Sequence, residues 1–394
     1  MTIKYIDQIE LDNKSVLIRV DYNVPYDSEL NITDDTRIKA TLPTIEHCLK
    51  NNAKIILVSH LGRPKGKRVP EMTLAPVAKR LGEILSKEVT FIADELGPDV
   101  KEQINSMNNG DIILLENIRY YSGETKNDED LGKTLASFAD VYINDAFATA
   151  HRAHSSNASV TNHVKECGAG FLLKNEIEYF NKAMGNPERP FGAIIGGAKV
   201  SSKLDALENI LNKVDFIIIG GGMAFTFLKA QGYETGKSLL EEDLVDTAKT
   251  ILSKAKEKGV EIYLPVDITT AKEFDNNSPK QTVSMESIPN DEMGLDIGAK
   301  SIKLFEDKVK AAKTIIWNGP MGAFEMSNFA DGTNSIAETL AQSDCLSIVG
   351  GGDSVTAINQ AGVADKVSYI STGGGAFLEL LEGKTLPGFS ALDK

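Results

Sequence analysis

Arginine and histidine behind buried strands are the residues from which an anion site is built. Four of the eight arginines in this chain stand at strand ends or at a loop–helix junction. The apolar run Val16–Val20 leads to Asp21 and Asn23, and Lys54–Ser59 leads to His60 and Arg63. Asp111–Leu115 leads to Asn117 and Arg119, and Val141–Ile143 leads through Asn144-Asp145 to His151-Arg152. Arg37 opens a helical pattern after Asp34-Asp35-Thr36. In an open parallel sheet, ligands bind beyond the carboxyl ends of the strands. Taken singly, each arginine reads as a solvated surface residue. Together, Arg37, Arg63, Arg119 and Arg152 with His60 point to one rim. Guanidinium groups grip carboxylate and phosphate in fixed geometry, so the expected ligand is a small molecule bearing both. Arg68, Arg80 and Arg189 have no such placement and read as surface residues. No basic stripe or aromatic ladder accompanies the arginines, so nucleic acid is not an expected partner.

The second half of the chain carries glycine where the first carries arginine. Phe191–Ile195 leads to Gly196-Gly197-Ala198-Lys199 and on to Lys203, and Val214–Ile219 leads to Gly220-Gly221-Gly222. Thr314–Trp317 leads to Asn318-Gly319-Pro320, with Glu325 beyond. Leu346–Val349 leads to Gly350-Gly351-Gly352-Asp353-Ser354, and Val367–Ile370 to Ser371-Thr372-Gly373-Gly374-Gly375. Such loops leave backbone N–H groups free to cradle phosphates at helix N-termini. Asp353 at such a turn suits Mg²⁺ on a phosphate chain. A dinucleotide fingerprint is missing, and so is a true phosphate-binding G-x-x-x-x-G-K-[ST]. The nearest match, Gly294 to Ser301, has Ala299 where glycine is required. It follows a polar loop and reads as a helix start. No H-E-x-x-H, C-x-x-C or G-x-S-x-G occurs.

These loops need a scaffold, and the runs between them supply one. Short, nearly continuous apolar runs read as strands buried on both faces of a parallel sheet. Amphipathic stretches separate them. Ile38, Leu42, Ile45 and Leu49 share one helical face, with Pro43 expected to bend it. Leu204, Leu207, Ile210 and Leu211 share another, with Ser201-Ser202 as expected caps. The fold class is therefore α/β, with two Rossmann-like, doubly wound parallel-sheet domains. A length of 394 residues suits two domains of about 150–200 residues each. A helix over 174–185, ended by Gly185 and followed by Pro187 and Pro190, reads as the connector. The expected division is a first domain over 1–173, a hinge helix over 174–188 and a second domain over 189–385.

Composition narrows the function classes. Forty-two basic against 56 acidic residues give a net charge of −14, which disfavours nucleic acid and anionic membranes. Cys48, Cys167 and Cys345 are odd in number and far apart, so no disulfide framework is expected. The N-terminus lacks an apolar signal core and no apolar run reaches the length of a membrane span, so a cytoplasmic location is expected.

These segments together resemble the phosphoglycerate kinase family over nearly the whole chain. The carriers are Arg19-Val20-Asp21-Tyr22-Asn23-Val24-Pro25, Ser59 to Gly66 and Asn144 to His154 in the first half. In the second half they are Gly196 to Val200, Trp317 to Pro320, Gly350 to Ser354 and Ser371 to Gly375. The resemblance implies a monomeric glycolytic enzyme. It would move a phosphoryl group between 1,3-bisphosphoglycerate and MgADP, giving 3-phosphoglycerate and MgATP. It places the triose phosphate on Asp21, Asn23, Arg37, His60, Arg63, Arg119 and Arg152. It places the nucleotide on Gly197, Lys199, Lys203, Gly220, Gly221, Asn318, Glu325 and the turn Gly351, Gly352, Asp353 and Ser354. Within that set, Glu325 is expected on the ribose and Asp353 on Mg²⁺. Arg37 and Lys199, with backbone N–H groups near Gly352 and Gly374, are implied as the catalytic groups. The family also returns its tail, here 386–394, to the first domain. Tyr22, Ala148 and Ser354 stand where the family more often has Phe, Gly and Thr. Ser354 keeps the hydroxyl. Two other classes fit parts of the pattern: a non-catalytic two-lobed anion-binding protein, and an oxidoreductase with paired Rossmann-like domains. The glycine-rich half disfavours the first, and the missing fingerprint disfavours the second.

Overall fold

The computed structural model describes residues 3–393. Met1, Thr2 and Lys394, which belong to the expected first domain and returning tail, lie outside the described residues. The chain divides into two compact units, residues 1–177 with 385–394, and residues 178–384. Each is an α/β unit built on a six-stranded parallel sheet.

In the first unit the apolar runs become β1 (Ser15–Arg19), β2 (Lys54–Val58), β3 (Thr90–Ile92), β4 (Ile112–Leu115) and β5 (Val141–Asn144). The sixth strand, β6 (Glu166–Ala169), has the sequence Glu-Cys-Gly-Ala and carries no β-branched residue to announce it. The order is β3-β4-β2-β1-β5-β6. The chain starts in the middle, works to one edge, then resumes on the other side of β1, so the direction of winding reverses between β1 and β5. That crevice is where an open sheet binds ligands. Helices cover the sheet because its central strands are apolar on both faces, as the wholly buried Ile112–Leu115 illustrates.

The second unit contains β7 (Phe191–Ile195), β8 (Phe216–Ile219), β9 (Glu261–Tyr263), β10 (Asp267–Ala271), β11 (Lys280–Ser284), β12 (Met293–Ile297), β13 (Thr314–Asn318), β14 (Leu346–Val349) and β15 (Tyr369–Ile370). Its parallel sheet runs β15-β14-β13-β7-β8-β9. Read from β9, this is the doubly wound order 3-2-1-4-5-6, with the switch point between β7 and β13. Strands β11, β10 and β12 form a separate antiparallel sheet. The segment Gly294 to Ser301 is therefore half strand: Gly294–Ile297 belongs to β12, and the helix starts at Ala299.

Three local expectations change. Pro43 does not bend one long helix. It sits in the first turn of a second helix, Leu42–Lys50, which follows the short helix Thr36–Ala40. A first-turn proline loses no helical hydrogen bond there. Ser201 and Ser202 do not cap the helix Leu204–Ile210, whose cap position is Lys203. They belong to the one-turn helix Val200–Ser202, and Ser201 Oγ donates to Glu241 Oε1 at 2.6 Å. The connecting helix spans Phe171–Met184, starting three residues before position 174.

The C-terminal segment closes the first unit. Leu386, Phe389 and Leu392 are buried, and Phe389 stacks on Phe147 with centroids 6.0 Å apart. Gly388 N donates to Ala150 O at 2.8 Å. A Cβ at Gly388 would lie 2.9 Å from Ala150 Cα, so only glycine permits this approach. Removing the Phe389 ring leaves a cavity at a position only 7% exposed. Phe389→Ala is expected to lower stability by about 3–5 kcal/mol, read as a fall in urea midpoint. An unchanged midpoint would show that the tail packs without holding the unit together.

Candidate functional site

The rim of the first unit is assembled at the β1/β5 switch point. Asp145 N, just after β5, donates to Arg19 O at 2.8 Å, which draws the two strand ends together. Asp21 then accepts from Asn23 N at 3.2 Å through Oδ1, while its Oδ2 pairs with Arg37 Nη1. Asn23 Oδ1 accepts from Gly62 N at 2.8 Å, and Arg119 Nη1 donates to Gly62 O at 2.7 Å. Gly62, at φ +62°, thus ties the Asp21–Asn23–Arg37 group to Arg119. Arg63, Arg119 and Arg152 line one cavity of about 710 Å³ together with Lys65, Lys126 and His154. Arg63 is exposed, whereas Arg152 Nε donates to His151 Nε2 at 3.0 Å. Every residue assigned to the triose-phosphate ligand thus lies in one connected region of this unit. Arg68, Arg80 and Arg189 lie apart, held by Ala93 O, by Asp35 with Glu83, and by Asp215.

The electrostatics are those of a pocket that wants an anion. Burial first, and then the neighbouring Arg19 and Arg152, lower the Arg119 pKa to about 10. Arg119 Nε is buried with no protein partner. His60 is held well below its ordinary pKa, first by burial and then by Arg19, Arg119, Arg37 and Arg152. It is neutral at physiological pH. Its tautomer follows from its neighbour. Arg19 Nη2 lies 3.2 Å from His60 Nδ1, and a guanidinium can only donate. Nδ1 therefore accepts, and the ring proton sits on Nε2. Burial likewise pushes the His154 pKa down to about 3, so its approach to Glu124 Oε1 at 3.6 Å is not an ion pair.

Arg19 is the residue that placement after strands fails to find. It is the last residue of β1, fully buried, and its Nε donates to Ser156 Oγ at 2.8 Å. Its signal was an arginine ending an otherwise apolar run.

In the second unit the β7/β13 switch point is built from backbone. Gly196 N donates to Asn318 O at 2.9 Å and Gly197 N to Pro320 O at 3.2 Å. A Cβ on Gly221 would lie 2.7 Å from Gly197 N and O, and one on Gly220 would lie 2.5 Å from Met321 Sδ. Lys203 Nζ pairs with Asn318 Oδ1, and Asn318 Nδ2 donates to Gly350 O at 2.8 Å. Ser354 Oγ accepts from Gly319 N at 2.6 Å. Burial lowers the Lys203 pKa, opposed by Asp353 and Glu382. The helices Gly352–Gln360 and Gly374–Leu381 begin side by side. A Cβ on Gly374 would come 4.0 Å from Gly352 N. Two helix N-termini thus converge, which favours negative charge between them. Lys199 is the exception. It is exposed, and its charge acts on Glu241.

A cavity of about 190 Å³ lies beside these loops, lined by Gly197, Gly221, Glu325 and Asp353. Its walls are Phe225, Leu239, Ile268, Phe274 and Leu295. An apolar slot opening onto glycine loops and two carboxylates suits a flat base joined to a phosphate chain. These wall residues come partly from the antiparallel sheet, which the sequence reading did not detect. Among the described residues no cluster of three or more His, Cys, Asp or Glu could hold a metal ion. Asp353, exposed at a helix N-terminus, can offer one hard oxygen ligand. That fits Mg²⁺, which takes few protein carboxylates and completes its shell with phosphate and water oxygens.

The chain is a two-unit, doubly wound α/β protein, one unit carrying an arginine-lined anion rim and the other a glycine-lined slot. The family model for phosphoglycerate kinase matches residues 6–384. The phosphoglycerate kinase of Geobacter metallireducens is 55% identical over 395 aligned residues, covering 100% of this chain and 99% of that protein. The crystal structure of phosphoglycerate kinase from Pyrococcus horikoshii superposes with a TM-score of 0.84 at 31% identity, covering 99% of this chain and 98% of that one. The structure of phosphoglycerate kinase from Coxiella burnetii gives 0.92 at 42% identity, covering 99% of each chain. The chain belongs to the phosphoglycerate kinase family. No described helix is long and apolar enough to cross a membrane.

The buried histidines carry a measurable consequence. A histidine whose folded pKa is depressed binds its proton more readily in the unfolded chain. Its contribution to stability is present above the unfolded value and is lost as pH falls below it. For His154 the window runs from the ordinary value of 6.5 down to about 3. Ring NMR shifts of His60 and His154 are expected to stay flat from about pH 8 to pH 5. Titration of either ring near its ordinary pKa would contradict the charge environment described.

Proposed function

We propose that the chain catalyses reversible phosphoryl transfer between 1,3-bisphosphoglycerate and MgADP, giving 3-phosphoglycerate and MgATP. The observation that carries this reading is family membership across residues 6–384. The arginine rim supports the triose-phosphate role of Asp21, Asn23, Arg37, His60, Arg63, Arg119 and Arg152. The glycine-lined slot supports the nucleotide role of Gly197, Lys203, Gly220, Gly221, Asn318, Glu325, Asp353 and Ser354. We take the working unit to be a monomer in the cytoplasm, as the resemblance implies.

The chemistry asks little of proton transfer. In the ATP-consuming direction the acceptor is a carboxylate, already ionised at neutral pH, so no general base is needed. One carboxylate oxygen bonds to the γ-phosphorus as the bond to the β,γ-bridging oxygen breaks, in line, leaving ADP. The site must hold two anions in alignment and meet the charge spread over the transferred group. Arg37 would meet it from the first unit. The backbone N–H groups near Gly352 and Gly374, with Lys199, would meet it from the second. Mg²⁺ bound with the nucleotide, through Asp353, would neutralise charge on the phosphate chain. Because the ligand roles fall on different units, transfer requires closure about the connecting helix. Closure also excludes water from the reactive phosphate.

A coupled assay of ATP-dependent 3-phosphoglycerate consumption tests the reaction, and no activity with Mg²⁺ present would overturn it. Arg37→Ala and Lys199→Ala are expected to raise the barrier by about 2.7–4 kcal/mol, seen mainly in kcat. A raised KM with kcat retained would show that these residues serve binding only. Small-angle scattering is expected to show a smaller radius of gyration with both substrates than with neither. An unchanged radius would count against closure.

A further inference from the structure

Behind the rim lies a buried polar chain that the reaction itself does not use. Glu124 is 0% exposed, in the one-turn helix Glu124–Lys126. Its Oε2 accepts from Ser156 N at 2.9 Å, and its Oε1 accepts from Ser156 Oγ at 2.7 Å. Tyr142 Oη donates to Ser156 O at 2.7 Å, so Ser156 is held at three atoms. Its hydroxyl proton is committed to Glu124. Only a lone pair is left for Arg19 Nε, which donates to it at 2.8 Å. Arg19 in turn directs Nη2 at His60 Nδ1, 3.2 Å away.

The alternative is close by. Asp21 Oδ1 lies 3.7 Å from the same His60 Nδ1. A carboxylate there would draw the imidazole proton onto Nδ1. Nε2 would then present a lone pair, which repels an anion, instead of an N–H, which binds one. Arg19 decides between the two tautomers, and its aim is set by Val20 O, which accepts from Nη1, and by Ser156, which Glu124 holds.

We propose that Glu124 is a positioning residue for the anion rim, which through Ser156 and Arg19 keeps the His60 proton on Nε2. A glutamine is not equivalent. With its carbonyl on Ser156 N–H, its amide donates to Ser156 Oγ, so the hydroxyl proton is no longer committed to this side chain and the negative charge behind Arg19 is gone. The part of this inference that concerns turnover rests on the proposed reaction; the tautomer does not.

The test is nitrogen-15 NMR of the His60 ring at neutral pH in the wild type, Glu124→Gln and Ser156→Ala. The wild type is expected to show a bare Nδ1 and a protonated Nε2. Both variants are expected to shift toward a protonated Nδ1. In the coupled assay they should lose about tenfold in kcat/KM for 3-phosphoglycerate, with KM for MgATP within about twofold. If Glu124→Gln does not fold, Ser156→Ala decides. The wild-type tautomer in a folded variant, or an equal loss for both substrates, overturns the proposal. A wild type without kinase activity overturns the proposed function instead, and the NMR comparison still decides this inference.

Discussion

The first unit must keep Arg19, Arg37, Arg119 and Arg152 close enough to act on one another while part of that charge is out of water. Like charges this near repel, and burial strengthens the repulsion. The strand ends answer it with distributed counter-charge. Asp21 pairs with Arg37, and Glu124 reaches Arg19 through Ser156. Three groups that could add positive charge are switched off instead. Burial and the arginines hold His60, His151 and His154 below their ordinary pKa. The surplus that remains is what an anionic ligand would neutralise.

The second unit solves a different problem. There the constraint is closeness of backbone, not balance of charge. Gly196 meets Gly319 and Pro320, and a Cβ would lie 2.0 Å from Pro320 O. Glycine at these positions lets β7 and β13 end in contact, with Gly196 N and Gly197 N donating across to Asn318 O and Pro320 O. The antiparallel sheet then adds an apolar wall beside them. Asp296 of that sheet, its pKa raised by burial to about 7, accepts from Gly332 N at 2.8 Å and fixes the helix behind the slot.

Most of this was legible from sequence wherever the signal was an apolar run followed by a polar residue. The apolar runs that lead into the two sites are nine of the twelve strands of the two parallel sheets, because burial on both faces leaves an unbroken apolar pattern. Strand β11 (Lys-Gln-Thr-Val-Ser) is largely exposed and lacks that pattern. Its sheet, and with it Ile268 and Leu295 as walls of the slot, could not be read. Arg19 escaped for the opposite reason. It ends a strand, so its side chain was counted with the run and not with the loop. Ser201-Ser202 looked like a cap by type alone, whereas Glu241, forty residues away, decides where Ser201 bonds.

The placement of the tail has a consequence for how the molecule is made. Residues 178–384 are an insertion within the first unit, whose last packed segment comes from residues after 384. On a ribosome, chains emerge N-terminus first and domains fold as they appear. The second unit is therefore fully synthesised before Leu386 and Phe389 exist to fill their places against the first. The arginine rim is laid down early, but the unit that carries it is sealed last.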